Sequence, residues 1–389
     1  MAPEPRAETV PLAEALGRAL MLDVIQSTSD VPPFANAAMD GFAVRAADLP
    51  GRLRIMGEVA AGARALPALQ PGVAMRISTG APIPPGADTV VPLERATETD
   101  GFIEIAETIP ASSDVRAAGH DTRAGDAVHL PNPVSPAGIG VLASLGVAEV
   151  AVRARPRIAI LSSGEELVAP GDPLEPGQIF DANAPSLAAA VTEAGGEPVL
   201  RGHVGDDPAD VVQALTGAGA DADVVLTSGG VSVGPHDHVR GAIERLGRLD
   251  FWRIAMQPGK PLAVGVVNGR PVIGLPGNPV SALVVTELLV RPLIRAILGL
   301  AGDGRLHVNA VLDEDLRKDP ERTAYLRVRV RRTDAGWAAR PAGGQLSSQL
   351  RALADANGLL VVPRGEPAGR AGHRYETILL GEPDTAEDR

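Results

Sequence analysis

The chain has 389 residues, 45% of them apolar, with a formal net charge of −12, no cysteine and 2% aromatic residues. That length exceeds what one ordinary core supports, so several domains are expected. The missing cysteines exclude disulfides, thiolate metal ligands and a cysteine nucleophile. The acidic charge and scarce aromatics argue against a nucleic-acid surface, which needs cations and stacking platforms. No stretch approaches the ~20 apolar residues of a membrane helix. The opening MAPEPRAETV has neither the basic nor the apolar region of a secretory signal. The expectation is a cytoplasmic protein with no membrane or nucleic-acid partner.

In chain order, VPLAEALGRALMLDVI (10–25) has the apolar spacing of a helix. Residues 27–127 are rich in Gly and Pro with short β-type runs, RLRIMGEV, VAMRIST and TVVPLE, which predicts a small β domain. PAGIGVLASLGV (136–147) reads as a second helix; with the first it would bracket that domain as an insertion. From about Arg157 to Leu300 strand and helix signals alternate. RIAIL, PVLRGHV and DVVLT read as strands, and APSLAAAVTEAG, DPADVVQALTGAG and HDHVRGAIERLG as helices. WRIAM, PLAVGVV and PVIGL, with Asn268-Gly269 as a hairpin turn, and a helix from Pro279 complete the block. Such alternation implies right-handed βαβ units, a mostly parallel sheet and ligands beyond its carboxyl edge. YLRVRVRR, GLLVVP and ETILL then predict a compact C-terminal β unit. The expected boundaries are 8–26 with 128–155, 27–127, 156–300 and 301–385.

Three loops follow strands of the central block: ILSSGEEL, LTSGGVSVGPHD and GLPGNPVSA. Each couples glycine or proline to small polar residues and enters a helix, where bare backbone N–H groups and the helix dipole favour an anion. Three such loops on one sheet edge imply an anionic ligand. Neither a Walker loop nor G-x-G-x-x-G is present, which argues against P-loop and NAD chemistry. The acids beside the loops are Glu165, Glu166, Asp181, Asp206, Asp207 and Asp237; acids there suit Mg²⁺ bridging to substrate phosphates. Asp206 or Asp207 also fits a plain helix N-cap. His236, Asp237 and His238 make a poor zinc site, because i and i+2 do not share a helix face. Lys260, in a Pro-Gly-Lys-Pro turn, suits oxyanion binding or a surface hairpin. Arg327, Arg329, Arg331 and Arg332 lie on a strand, where most arginines are solvated and only one need be functional.

MDGFAV (39–44), RISTGAPIP, DVRAAGHD, SSGEEL, GQIFDAN, SGGVSVGPHD, MQPGKP and LPGNPVSA occur in this order. Over about Val10 to Pro363 they resemble molybdopterin molybdenumtransferase, the family of MoeA and the gephyrin E domain. The resemblance implies an α/β multidomain fold: a molybdopterin-adenylyltransferase-like central domain, an inserted small β domain and a C-terminal β-barrel-like domain. It implies an elongated homodimer, with the cleft between the α/β domain of one protomer and the small β domain of the other. The implied reaction takes adenylylated molybdopterin and molybdate, requires Mg²⁺, and releases AMP with formation of molybdenum cofactor. Other cofactor-biosynthesis proteins and molybdoenzymes are implied as possible partners.

By position, the resemblance makes Asp40 and Asp121 acids of the β domain, with Thr79 and Arg116 near them. Glu166, Asp206 and Asp237 become the acids that hold Mg²⁺ or position water at the pyrophosphate. Gly229 and Gly230 approach the anion; Ser232, Lys260, Arg327 and Ser347 or Ser348 line the molybdate pocket. Pro276, Gly277, Asn278 and Pro279 shape the substrate loop. Three departures stand out. Gln257 replaces a second lysine of several relatives, His120 stands where Glu is frequent, and the first helix of many members is missing ahead of VPLAEALGR. The alternatives are the adenylyltransferase step itself and a scaffold on the same fold; the acids Asp40, Asp121, Asp206 and Asp237 favour catalysis.

Overall fold

The computed structural model describes residues 5–205, 207–231 and 238–385. The chain divides into two compact units, Thr9–Val152 and Arg153–Arg389 with the short segment ahead of Thr9.

In the first unit, strands β1 (Gly41–Val44), β2 (Gly51–Val59), β3 (Val73–Ile77), β4 (Thr89–Pro92), β5 (Thr97–Thr99) and β6 (Phe102–Ile105) form one six-stranded sheet in the order β4-β1-β3-β2-β6-β5. Alternate residues feed two cores. Phe42, Val44, Leu53 and Ile103 pack on one side, and Ala43, Met75, Ile77 and Val90 on the other. A separate core joins residues from both flanks of the sheet: Val10, Leu20, Val134, Leu142 and Val152. Helix α1 (Pro136–Ser144) contributes to it, with Ser135 Oγ accepting Gly138 N–H as its cap.

The helix expected over 10–25 is not formed. Leu12–Glu14 makes a single 3₁₀ turn, Gly17 is left-handed, and Val24–Gln26 is a strand. The backbone donors are committed to the tertiary structure: Leu12 N–H donates to Ala148 O, Met21 N–H to Ala151 O and Leu20 N–H to Asn132 Oδ1. Val10, Ala15, Ala19 and Leu20 are buried without a helix while Leu16 and Leu22 are exposed, because neighbouring backbone offers this stretch other hydrogen-bond partners.

The second unit begins with the α/β sheet. Its strands are β7 (Arg157–Ser163), β8 (Glu197–Val204), β9 (Val224–Ser228), β10 (Gly247–Trp252), β11 (Ala263–Val267) and β12 (Arg270–Leu275), in the order β8-β7-β9-β12-β11-β10. The first four run parallel; β11 and β10 are added antiparallel through the hairpin at Asn268-Gly269, both left-handed as that turn requires. Helices α2 (Asn183–Glu193), α3 (Pro208–Asp221) and α4 (Val239–Leu246) cross between strands, and α5 (Pro279–Val285) follows β12. The apolar centre of β7 and β9 is buried on both faces, as a parallel sheet demands. WRIAM is not one strand: β10 stops at Trp252, Arg253 turns left-handed, and Met256–Gln257 pairs instead with the last domain.

That domain consists of β13 (His307–Leu312), β14 (Thr323–Thr333), β15 (Gly336–Pro341), β16 (Gly358–Val362) and β17 (Arg374–Leu379). The order β14-β15-β13-β17-β16 closes because β14 pairs with β16 as well, giving a five-stranded barrel. The long β14 is the seam, its first half on β16 and its second on β15. Ala324, Leu326, Val328 and Val330 alternate into the core.

Candidate active site

The parallel strands β7, β9 and β12 end in the three loops singled out in the sequence. Gly229 N–H donates to Leu275 O at 3.0 Å, tying two of these loops at the sheet edge. Gly229 and Gly230 have φ of +95° and +69°. A Cβ on Gly229 would approach Ser163 O to 2.9 Å, and one on Gly230 would meet a Val239 methyl at 2.8 Å. Only glycine fits either position. Together the loops surround a cavity of about 450 Å³. Glu166, Gly229, Gly230, Pro276, Gly277, Asn278 and Pro279 all line it, so seven of the expected site residues are brought together. Glu166 is exposed, and among the described residues its carboxylate has no hydrogen-bond or ion-pair partner.

Two lining residues carry structural duties that the sequence reading did not assign. Asp181 Oδ1 accepts the N–H groups of Asn183 and Ala184 at 2.9 and 3.0 Å, capping α2. Asn183 is 7% exposed; its Nδ2 donates to Ser228 Oγ at 2.6 Å and to Gly277 O at 2.7 Å. One amide thereby joins the end of β9 to the loop after β12. GQIFDAN carried the signal, but nothing in a linear sequence says which strands an Asn at a helix start will bridge. Asp207 is the N-cap of α3, accepting Ala209 N–H at 2.7 Å. Asp206, Ser232 and Asp237 lie outside the described residues.

A second cavity of about 380 Å³ shares Pro261, Pro276 and Asn278 with the first. Lys260 and Ser347 line it as expected, together with Ser281 and Gln257. Lys260 is exposed and has no carboxylate partner among the described residues. Gln257 Oε1 accepts Asp319 N–H at 3.0 Å, so Gln257 pins the turn ahead of β14. Arg322 also lines this cavity, with Nε 3.0 Å from Asp319 Oδ2. The sequence reading missed it, because Arg322 precedes the alternating run of β14.

Arg327, by contrast, does not line either cavity. It is 1% exposed, and its Nη2 donates to Gly344 O and Leu346 O at 2.8 and 3.2 Å. Gln345 completes the clamp, accepting Arg327 N–H and donating to Arg327 O. Arg327 is thus behind the loop that presents Ser347, and burial draws its guanidinium down to about 10. Ser348, next to Ser347, is exposed and outside the cavity lining. Arg329 pairs with Asp384 and Arg331 with Asp313, so these arginines are structural rather than merely solvated.

In the first unit, Asp40 and Thr79 meet. Thr79 N–H donates to Asp40 Oδ1 at 2.6 Å and its hydroxyl to the same oxygen at 3.0 Å. These bonds hold the Asp40 carboxyl below its ordinary value. Arg116 reaches the same turn, Nη2 to Ala38 O at 3.4 Å, and its strand pairs with Asn36–Ala37. Asp121 is exposed on the following turn, fixed by Asp121 N–H to Val31 O at 3.0 Å.

Family profiles match along the chain: a MoeA N-terminal region (domains I and II) over residues 1–146, a probable molybdopterin binding domain over 159–296 and a MoeA C-terminal region (domain IV) over 309–380. Molybdopterin molybdenumtransferase 2 of Mycobacterium tuberculosis is 41% identical over 388 residues, covering 95% of this chain and 94% of the relative. The chain belongs to the molybdopterin molybdenumtransferase family. The Nostoc member is 39% identical, over 92% of this chain and 85% of its own length. A molybdopterin biosynthesis MoeA protein from Pyrococcus horikosii superposes with a TM-score of 0.83 at 34% identity, over 97% of this chain and 95% of that one. The fold expected from the sequence, a central α/β domain flanked by β domains, is the fold of this family. Among the described residues no helix is long and apolar enough to cross a membrane.

Proposed function

We propose that this chain inserts molybdenum into molybdopterin, taking adenylylated molybdopterin and molybdate and releasing AMP as molybdenum cofactor forms. The observation that carries this reading is the pair of adjoining cavities at the carboxyl ends of the parallel strands. The first has glycine-loop backbone and a free carboxylate, which suit a phosphate-bearing ligand. The second has Lys260, Arg322, Ser281 and Ser347, a donor set suited to an oxyanion such as molybdate. Glu166 is the described carboxylate best placed to hold Mg²⁺, a hard cation that takes one or two carboxylates plus substrate oxygens. Bound there, Mg²⁺ would supply charge neutralisation at the phosphates. Glu166 and, from outside the described residues, Asp206 and Asp237 are proposed as its ligands, with Asp40 and Asp121 as further acids of the reaction.

The adenylyltransferase alternative needs only the α/β domain. Here the barrel supplies Asp319, Arg322 and Ser347 to the second cavity, which favours insertion. We further propose a cytoplasmic homodimer. The deciding experiment incubates the protein with adenylylated molybdopterin, Mg²⁺ and molybdate and follows AMP. Molybdate-dependent AMP release is expected, and Asp206→Ala and Asp237→Ala are expected to abolish it in folded protein. Consumption of ATP with free molybdopterin, and no AMP from the adenylylated substrate, would overturn the reading.

A further inference from the structure

Trp252 ends β10 and donates its indole N–H to Val231 O at 3.2 Å. Val231 lines the first cavity and is the residue with which the glycine loop continues. Two guanidinium groups lie over the Trp252 ring, that of Arg253 at 4.0 Å and that of Arg240 at 4.3 Å. Arg240 is satisfied by Glu244, at 3.0 Å one turn along α4. Arg253 is not: it is exposed, and among the described residues its side chain has no carboxylate partner. Its backbone is left-handed, φ +68°, a region that bulky residues avoid unless their surroundings impose it. The imposed contact is the bond from Arg253 N–H to Leu262 O at 2.8 Å, beside Pro261, which lines both cavities.

We propose that Arg253 binds the phosphate of the nucleotide portion of the substrate, at the rim of the first cavity. The inference rests on the nucleotide-bearing substrate proposed above and adds a residue to it. An unpaired arginine in a chain of net charge −12 has acidic surface available to pair with, and this one is instead stacked on an aromatic ring. Stacking orients the planar fork while leaving its N–H edges free, the arrangement that takes a phosphate through two parallel hydrogen bonds. Trp252 then has two duties: its ring carries the cation, and its N–H fixes Val231 at the end of the described glycine loop. Cation and backbone donors are positioned by one side chain.

The chain contains two tryptophans, so Trp337→Phe, in the barrel, leaves Trp252 as the sole indole reporter. In that background AMP with Mg²⁺ is titrated by fluorescence and by calorimetry, with adenosine as the phosphate-free control. Arg253→Asn removes the charge with a residue that tolerates the left-handed backbone, and Arg253→Lys keeps the charge without the fork. We expect AMP to bind Arg253→Asn about tenfold or more weakly than the parent, with Arg253→Lys between them and adenosine affinity unchanged throughout. Melting temperatures report folding. Wild-type AMP affinity in folded Arg253→Asn, or equal losses for AMP and adenosine, would overturn the assignment alone. Failure of AMP to bind the unaltered protein would overturn the nucleotide reading of the site and this inference with it.

Discussion

Asn183→Ala tests whether the first cavity is held open by one amide. The wild-type Nδ2 makes two hydrogen bonds, to Ser228 Oγ and Gly277 O, from a side chain only 7% exposed. Each such bond contributes about 0.5–1.5 kcal/mol net, and a buried acceptor left unpaired costs about 1–3 kcal/mol. Ser228 is itself 1% exposed, so water reaches it poorly once the amide is gone. The expected loss is therefore about 2–4 kcal/mol, read as the midpoint shift of the thermal or urea transition that involves the α/β domain. Ser228→Ala supplies the second corner of a double-mutant cycle, and because both variants remove the same bond, the double variant should be less destabilised than the sum by about 0.5–1.5 kcal/mol. Asn183→Asp should be no better than Ala, since a carboxylate oxygen would face the Gly277 carbonyl. AMP affinity should weaken in Asn183→Ala, because the bridge from Ser228 to Gly277 is lost and the Gly229–Leu275 bond alone ties these loops. A midpoint within 1 °C of wild type, or strict additivity in the cycle, would refute the latch.

Lys260→Ala should raise the molybdate concentration for half-maximal AMP release about tenfold or more, and an unchanged titration would remove Lys260 from the oxyanion cavity. Arg327→Ala should destabilise the protein by about 2–4 kcal/mol, through the space left by a side chain 1% exposed and the loss of its bonds to Gly344 O and Leu346 O; a loss of molybdate affinity without loss of stability would instead put Arg327 in the cavity. The Asp40 carboxyl is depressed by the Thr79 amide and hydroxyl, so its stabilising bonds are present above the ordinary carboxyl range and fade as pH falls through the lowered value. Thr79→Val should move the Asp40 titration upward in a carboxyl NMR experiment. His307 lies between Glu376 and Asp303, at 2.8 and 2.7 Å, and both raise its value. Its contribution is full below the ordinary imidazole value and is lost as pH rises through the raised one. Glu376→Gln should lower the His307 titration point, and no movement would refute the pairing.

The parts legible in the sequence were those set by local rules. Alternation gave β14 and its core face, and Asn268-Gly269 gave the hairpin of β11 and β12. The three glycine- and proline-bearing loops were expected to share one sheet edge, and they surround one cavity there. The unread parts depend on where distant backbone lies. Residues 10–25 have helical spacing, yet Leu12 and Leu20 find their partners at Ala148 and Asn132. Arg327 and Arg322 stand five positions apart on one strand and its approach, and only the loop at 343–347 decides which is buried and which reaches a cavity.

Gln257 itself brings no cation to the proposed oxyanion cavity. Gln257 is used by Asp319, whose carboxylate in turn holds Arg322, and both residues line the cavity. Arg322 brings a cation there but shares it with Asp319, so the excess positive charge rests mainly on Lys260. A dianion would then be held less by net charge than by directed donors, among them the Ser281 and Ser347 hydroxyls. Such a site gains selectivity for tetrahedral geometry over charge alone, since hydroxyl bonds weaken steeply when misdirected. The wall shared with the first cavity is built from Pro261, Pro276 and Asn278, two of them residues with fixed φ. In the proposed function the oxyanion and the phosphate-bearing ligand would meet across this wall, where the two prolines fix φ.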